Sequence, residues 1–95
     1  MKLPLRFDMT TTRADFRRLL PAAVNHVPFV EENGAFAHRE GERSWRIGLS
    51  DLPQLEIGLI RLERHRVEFE FAGYAEKEIE DFMARFERYF RRGGG

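Results

Sequence analysis

The sequence predicts a small α+β domain: an antiparallel, bent sheet with two helices on one face, in the order β-α-β(4-5)-α. Three observations carry that prediction. Apolar and polar residues alternate from about residue 3 to 9 and again through much of the segment 29–71, as half-buried strands require. Asn33-Gly34 separates two such stretches, and both positions tolerate the positive φ of a tight hairpin turn. Finally, Ile79, Phe82, Met83, Phe86, Tyr89 and Phe90 fall on one stripe at helical spacing.

Taken in order, Leu3, Leu5, Phe7 and Met9 alternate with Lys2, Arg6 and Asp8 in a first strand. Thr12, with Asp15 three residues on, fits a helix cap, and Phe16, Leu19, Leu20 and Ala23 then recur at helical spacing until Pro21 kinks or ends the helix. The turn at Asn33-Gly34 pairs Glu32 with Ala35 and Phe29 with His38. A four-residue loop, Glu40 to Arg43, then sets Phe36 opposite Ile47 and His38 opposite Trp45. Asp51 to Gln54 reads as another turn. Beyond it Leu55, Ile57 and Leu59 are expected to pair with Phe71, Phe69 and Val67 across a loop at Glu63 to His65, which makes five strands after the first helix. Gly48 and Gly58 sit within predicted strands and imply strong bending of the sheet. The final helix spans about Ala75 to Arg92, with acidic residues early and Arg85, Arg88, Arg91 and Arg92 late, as the helix dipole favours.

The chain has 95 residues and supports one core, so residues 1–92 form a single domain and Gly93–Gly95 a disordered tail. Sixteen basic residues balance sixteen acidic ones, a weak footprint for a protein that must neutralise phosphates. There is no cysteine, which removes disulfides, thiolate zinc sites and thiol nucleophiles. No leader-like or membrane-spanning apolar run is present, and a cytoplasmic protein is expected. Fourteen of the basic residues are Arg, read as the codon composition of a GC-rich bacterial genome.

No cofactor and no metal is implied, because His26, His38 and His65 lack helical spacing with one another or with a ligating companion. Ser44 and Ser50 occupy no nucleophile elbow, and no glycine-rich loop joins a strand to a helix to cradle a phosphate. One grouping could carry chemistry. The hairpin registers put Glu31, His38 and Trp45 on one face, where a carboxylate orienting an imidazole beside an indole would serve a small ligand-binding protein or an enzyme. The structural alternative is that His38 caps the core edge while Glu31 reaches solvent. On the opposite face Val30, Ile60 and Leu62 interrupt the polar alternation and form a candidate interface.

In element order and size the chain resembles the TATA-binding-protein-like fold, a β-α-β4-α unit, and more loosely a reduced helix-grip fold. Those resemblances are topological. The first implies nucleic-acid binding through the bent sheet, against which stand the mixed signs of Glu32, Arg39, Arg46, Glu56, Glu68 and Glu70 on the outer face. The terminal Gly93–Gly95 resembles the tail of ubiquitin-like sulfur carriers, but here it follows a helix rather than a strand. The expectation is therefore a non-enzymatic protein-interaction module, its partner another protein or a second copy in a weak homodimer.

Overall fold

The computed structural model describes residues 5–93. The predicted start of the first strand at residue 3 and the glycines at 94 and 95 lie outside that range. The elements are β1 (Leu5–Met9), α1 (Arg13–Ala23), β2 (Val30–Glu32), β3 (Ala35–Glu40), β4 (Arg43–Ile57), β5 (Ile60–Ala72) and α2 (Glu76–Gly93). Gly93, expected in a disordered tail, is the last residue of α2. All strands join one antiparallel sheet in the order β1-β5-β4-β3-β2, so the class is α+β.

α1 starts as its sequence dictates, with the Thr12 hydroxyl accepting from the Asp15 amide at 3.0 Å. Pro21 does not end it, and the helix runs on to Ala23. A proline forfeits the bond its own N–H would make and crowds the carbonyl four residues back, but its own carbonyl stays available, and that of Pro21 accepts from the His26 amide at 2.8 Å. That bond, with Asn25 N–H on the Ala22 carbonyl at 3.2 Å, closes a Schellman-type end in which Asn25 takes φ 57°.

The sheet departs from expectation beyond Leu49. The registers Phe36↔Ile47 and His38↔Trp45 hold, around a two-residue turn at Gly41-Glu42 rather than a four-residue loop. Asp51 to Gln54, however, is no turn. β4 runs through it to Ile57, reverses at Gly58-Leu59 and returns as β5, so four strands follow α1. The observed pairs are Trp45↔Phe71, Ile47↔Phe69 and Leu49↔Val67, while Leu55 opposes Leu62 and Ile57 opposes Ile60. Between Leu52↔Arg64 and Leu55↔Leu62 the register shifts, because Pro53 and Gln54 together oppose Glu63 alone. Such a bulge accommodates a proline that has no ladder donor.

Both helices cover the face that carries Phe36, Ile47 and Phe69. Phe16 of α1 meets Phe36 at 5.3 Å between ring centroids, and Phe86 of α2 meets Phe69 edge-on at 4.8 Å. Phe16 and Phe90 close the seam between the helices at 4.9 Å. Phe16, Leu20, Ile47, Val67 and Phe69 are wholly buried, and this aromatic core fixes one sheet face inward. No helix among the described residues is long and apolar enough to cross a membrane.

Candidate interaction surface

β1 pairs with β5 only from His65 to Phe69, and β3 pairs with β4 only as far as Gly48. Among the described residues the β4–β5 hairpin has no further strand neighbour beyond Asp51 and His65, so it leaves the body as a two-stranded arm. The molecule is correspondingly long, with extents of 48 × 25 × 23 Å.

The bulge decides which way the arm's side chains point. Cross-strand partners share a face, and successive residues alternate faces. His65 and Val67 point to the helices, so Ile60, Leu62 and Arg64 point away, and their partners Ile57, Leu55 and Leu52 do the same. Five aliphatic residues thus line one face of the arm. Ile57 and Ile60 are 59% and 60% exposed, and Leu59 at the tip is fully exposed. The other face carries Glu56 and Arg61, ion-paired at 3.5 Å. The arm is an amphipathic ribbon with its apolar side turned away from the core that would otherwise bury it.

Of the predicted interface residues, Ile60 and Leu62 lie in this patch and Val30 does not. Val30 lies on β2, level through Ala37 and Arg46 with Glu70, which is eight residues from Leu62, roughly 26 Å along the strand. Leu55 and Ile57, expected to face the core, belong to the patch, and Gly58 is a turn residue at φ 62° rather than a strand glycine. Elsewhere on the outer face charges pair across strands: Arg6–Glu68 at 3.2 Å, Arg66–Asp8 at 3.0 Å and Arg46–Glu70 at 3.6 Å. Arg66 holds the Asp8 carboxyl below its usual range through that hydrogen bond.

Glu31, His38 and Trp45 share the helix-side face, but the carboxylate does not orient the imidazole. Arg17 of α1 takes both Glu31 oxygens, at 2.8 and 2.7 Å. His38 is buried, with Nδ1 2.6 Å from the Pro28 carbonyl and Nε2 3.7 Å from Glu40. A carbonyl can only accept, so Nδ1 carries the proton. The rings of His38 and Trp45 lie 5.7 Å apart and border an open hollow of about 390 Å³ beside α2, with Phe71, Tyr74 and Phe82 among its lining. Burial pushes the Tyr74 phenol up, and the Arg43 guanidinium stands 5.5 Å over its ring.

A second histidine repeats the arrangement, and sequence reasoning missed it by placing His65 in a loop. His65 Nδ1 lies 2.6 Å from the Thr11 carbonyl and Nε2 3.1 Å from Asp51. The two histidines act as staples, each holding a backbone carbonyl through Nδ1.

No family model, curated protein or solved structure matches this chain. The likenesses to the TATA-binding-protein-like and helix-grip folds therefore rest on element order and size, and they carry no function.

Proposed function

We propose that this chain is a non-enzymatic protein-interaction module whose contact surface is the outward face of the β4–β5 arm. The observation that carries the reading is the co-facial set Leu52, Leu55, Ile57, Ile60 and Leu62 on a ribbon whose other face is charged. A lone two-stranded hairpin is marginal in water, and exposed apolar patches on soluble domains mark contact sites. The burial of His38 and His65, with Nδ1 of each committed to a backbone carbonyl, supports a structural role for both over acid–base chemistry.

The occupant we favour is a second copy of the chain. Two arms laid outward face to outward face, about 10 Å apart, cover each other's aliphatic residues as stacked sheets do. The patch is narrow beside the roughly 1,200–2,000 Å² of a stable interface, so this contact is weak. Sedimentation of the wild type beside the double variant Ile60→Lys, Leu62→Lys tests it. The variant is expected to lose part of the concentration-dependent association, and identical behaviour of the two proteins would refute the arm as the contact.

A second reading, a small planar ligand in the hollow beside Trp45, is favoured by the aromatic lining there. Quenching of the chain's single tryptophan on titration with aromatic compounds would support it, and an unchanged spectrum would not.

A further inference from the structure

We propose that two copies of this chain also join along β1, antiparallel about a two-fold axis at Phe7, into one continuous sheet of twice the width. β1 is an end strand of the sheet, and its pairing with β5 runs in register from Leu5↔Phe69 to Met9↔His65. The outer side of such a strand offers a row of backbone donors and acceptors to another strand. The opposite end strand, β2, has only three residues and offers far less.

Charge selects both the partner and the register. Leu5, Phe7 and Met9 share the helix-side face with Phe69 and Val67, while Arg6 and Asp8 lie on the outer face. If the helices of both copies are to stay on one side, the two-fold must pass through a residue of the strand, since paired residues share a face. Centred on Arg6 it opposes two arginines, and centred on Asp8 two aspartates. Of these three central registers, the one centred on Phe7 sets Arg6 of each copy against Asp8 of the other and is self-complementary. Within one copy, Glu68 already pairs with Arg6 at 3.2 Å and Arg66 with Asp8 at 3.0 Å. Joined this way, each outer-face row runs Glu68, Arg6, then the other copy's Asp8 and Arg66, with signs alternating across four strands.

The other side of the seam fits as well. Phe7 is 40% exposed although it faces the helix side, and it borders an apolar groove of about 280 Å³ formed with Met9, Met83, Phe86 and Phe90. Phe7 of the second copy, directly across the axis, enters that groove region. The α2 rim there carries Glu87 and Arg91, both signs that a two-fold contact needs. Because antiparallel pairing reverses strand direction, the two β4–β5 arms leave from opposite ends of the joined sheet, clear of the seam.

The test uses the Ile60→Lys, Leu62→Lys protein as background, so that loss of the arm contact and loss of the β1 contact are read separately. At low salt this background is expected to dimerise in sedimentation equilibrium. Adding Arg6→Asp, or adding Asp8→Arg, makes every Arg6–Asp8 rung like-charged and should raise the dissociation constant at least about tenfold. Mixing those two proteins restores opposite charges at both rungs, and a 1:1 heterodimer should form. Hydrogen exchange on the unmodified chain is a second measurement that needs no variant: β1 amides should gain protection as concentration rises. A background that stays monomeric at all concentrations, single-charge variants that dimerise as the background does, or a mixture that remains monomeric would each overturn the proposal.

Discussion

His65 and Asp51 face each other across β4 and β5, with Nε2 of the imidazole 3.1 Å from the carboxylate at the point where the arm leaves the body. Nδ1 of the same ring serves the Thr11 carbonyl at 2.6 Å, so one buried histidine ties the β1–α1 connection to the root of the arm. Replacing His65 with Leu removes the donor and leaves that carbonyl unsatisfied in a buried setting. The expected loss is about 1 to 3 kcal/mol in urea unfolding. Asp51 is largely exposed, and Asp51→Asn should change stability by no more than about 0.5 kcal/mol. Equal losses for the two variants would mean that the ion pair, rather than the carbonyl bond, is the staple.

Phe86 is buried and packs stacked on Phe90 at 4.2 Å and edge-on to Phe69 at 4.8 Å. Phe86→Ala removes a ring from the centre of the core, and about 3 to 5 kcal/mol should be lost. A loss under about 1 kcal/mol, the level of a surface position, would contradict the packing of α2 on the sheet.

Arg17 donates two hydrogen bonds to Glu31, and this contact holds the Glu31 carboxyl below its ordinary range. A carboxylate whose folded value is depressed contributes stability above its unfolded value and loses it as pH falls through the folded one. Wild type should therefore melt above Glu31→Gln at neutral pH, and the two curves should converge as pH drops below about 4.3, the ordinary glutamate value. The pair is solvent-exposed, so the gap is small and shrinks with salt. A gap that persists unchanged to pH 2 would show that the carboxylate charge is not its source.

Asn33 and Gly34 turn the β2–β3 hairpin with φ of 51° and 77°. A β-branched side chain resists that region, and Gly34→Val should cost about 1 to 3 kcal/mol. Gly73 is stricter: its φ is 80°, and a Cβ there would run into the Glu42 carbonyl. Gly73→Ala should lower the melting temperature although it adds a single methyl group, and an unchanged temperature would refute the turn geometry.

The parts of the fold that were legible in the sequence are those fixed by local signals. Asn33-Gly34 set Glu32 against Ala35, period-two alternation on either side of the turn after Glu40 set Phe36 against Ile47 and His38 against Trp45, and the Phe82–Phe86–Phe90 stripe placed α2. The arm was not legible, because a bulge reverses parity. Leu55 and Ile57 share the odd numbering of the inward-facing Trp45, Ile47 and Leu49, yet the extra residue at Pro53-Gln54 turns them outward. Pro53 read as a turn because a proline cannot donate to a ladder, and Gly58 read as a strand residue because that turn was already assigned. Ile60 and Leu62 were found through their broken alternation, but their neighbours on the patch depended on that hidden register. The Arg17–Glu31 contact joins a helix to an edge strand, and no spacing rule announces such a pairing.

The arm's exposure also predicts its dynamics. Among the described residues, 53–63 are all exposed, whereas Val67 and Phe69 at the same sheet's centre are wholly buried. Local opening costs little where few apolar contacts are broken, so amides in the arm should exchange orders of magnitude faster than those of Val67 and Phe69. If the arm packs on a second copy, opening must first break that contact, and protection at 55–62 should rise with protein concentration by mass action. The same series on Ile60→Lys, Leu62→Lys should be flat. Arm amides as slow as the core's at low concentration would show a rigid hairpin with no need of a partner. Rapid exchange at every concentration would leave the patch as open strand surface and remove the physical basis for association through it.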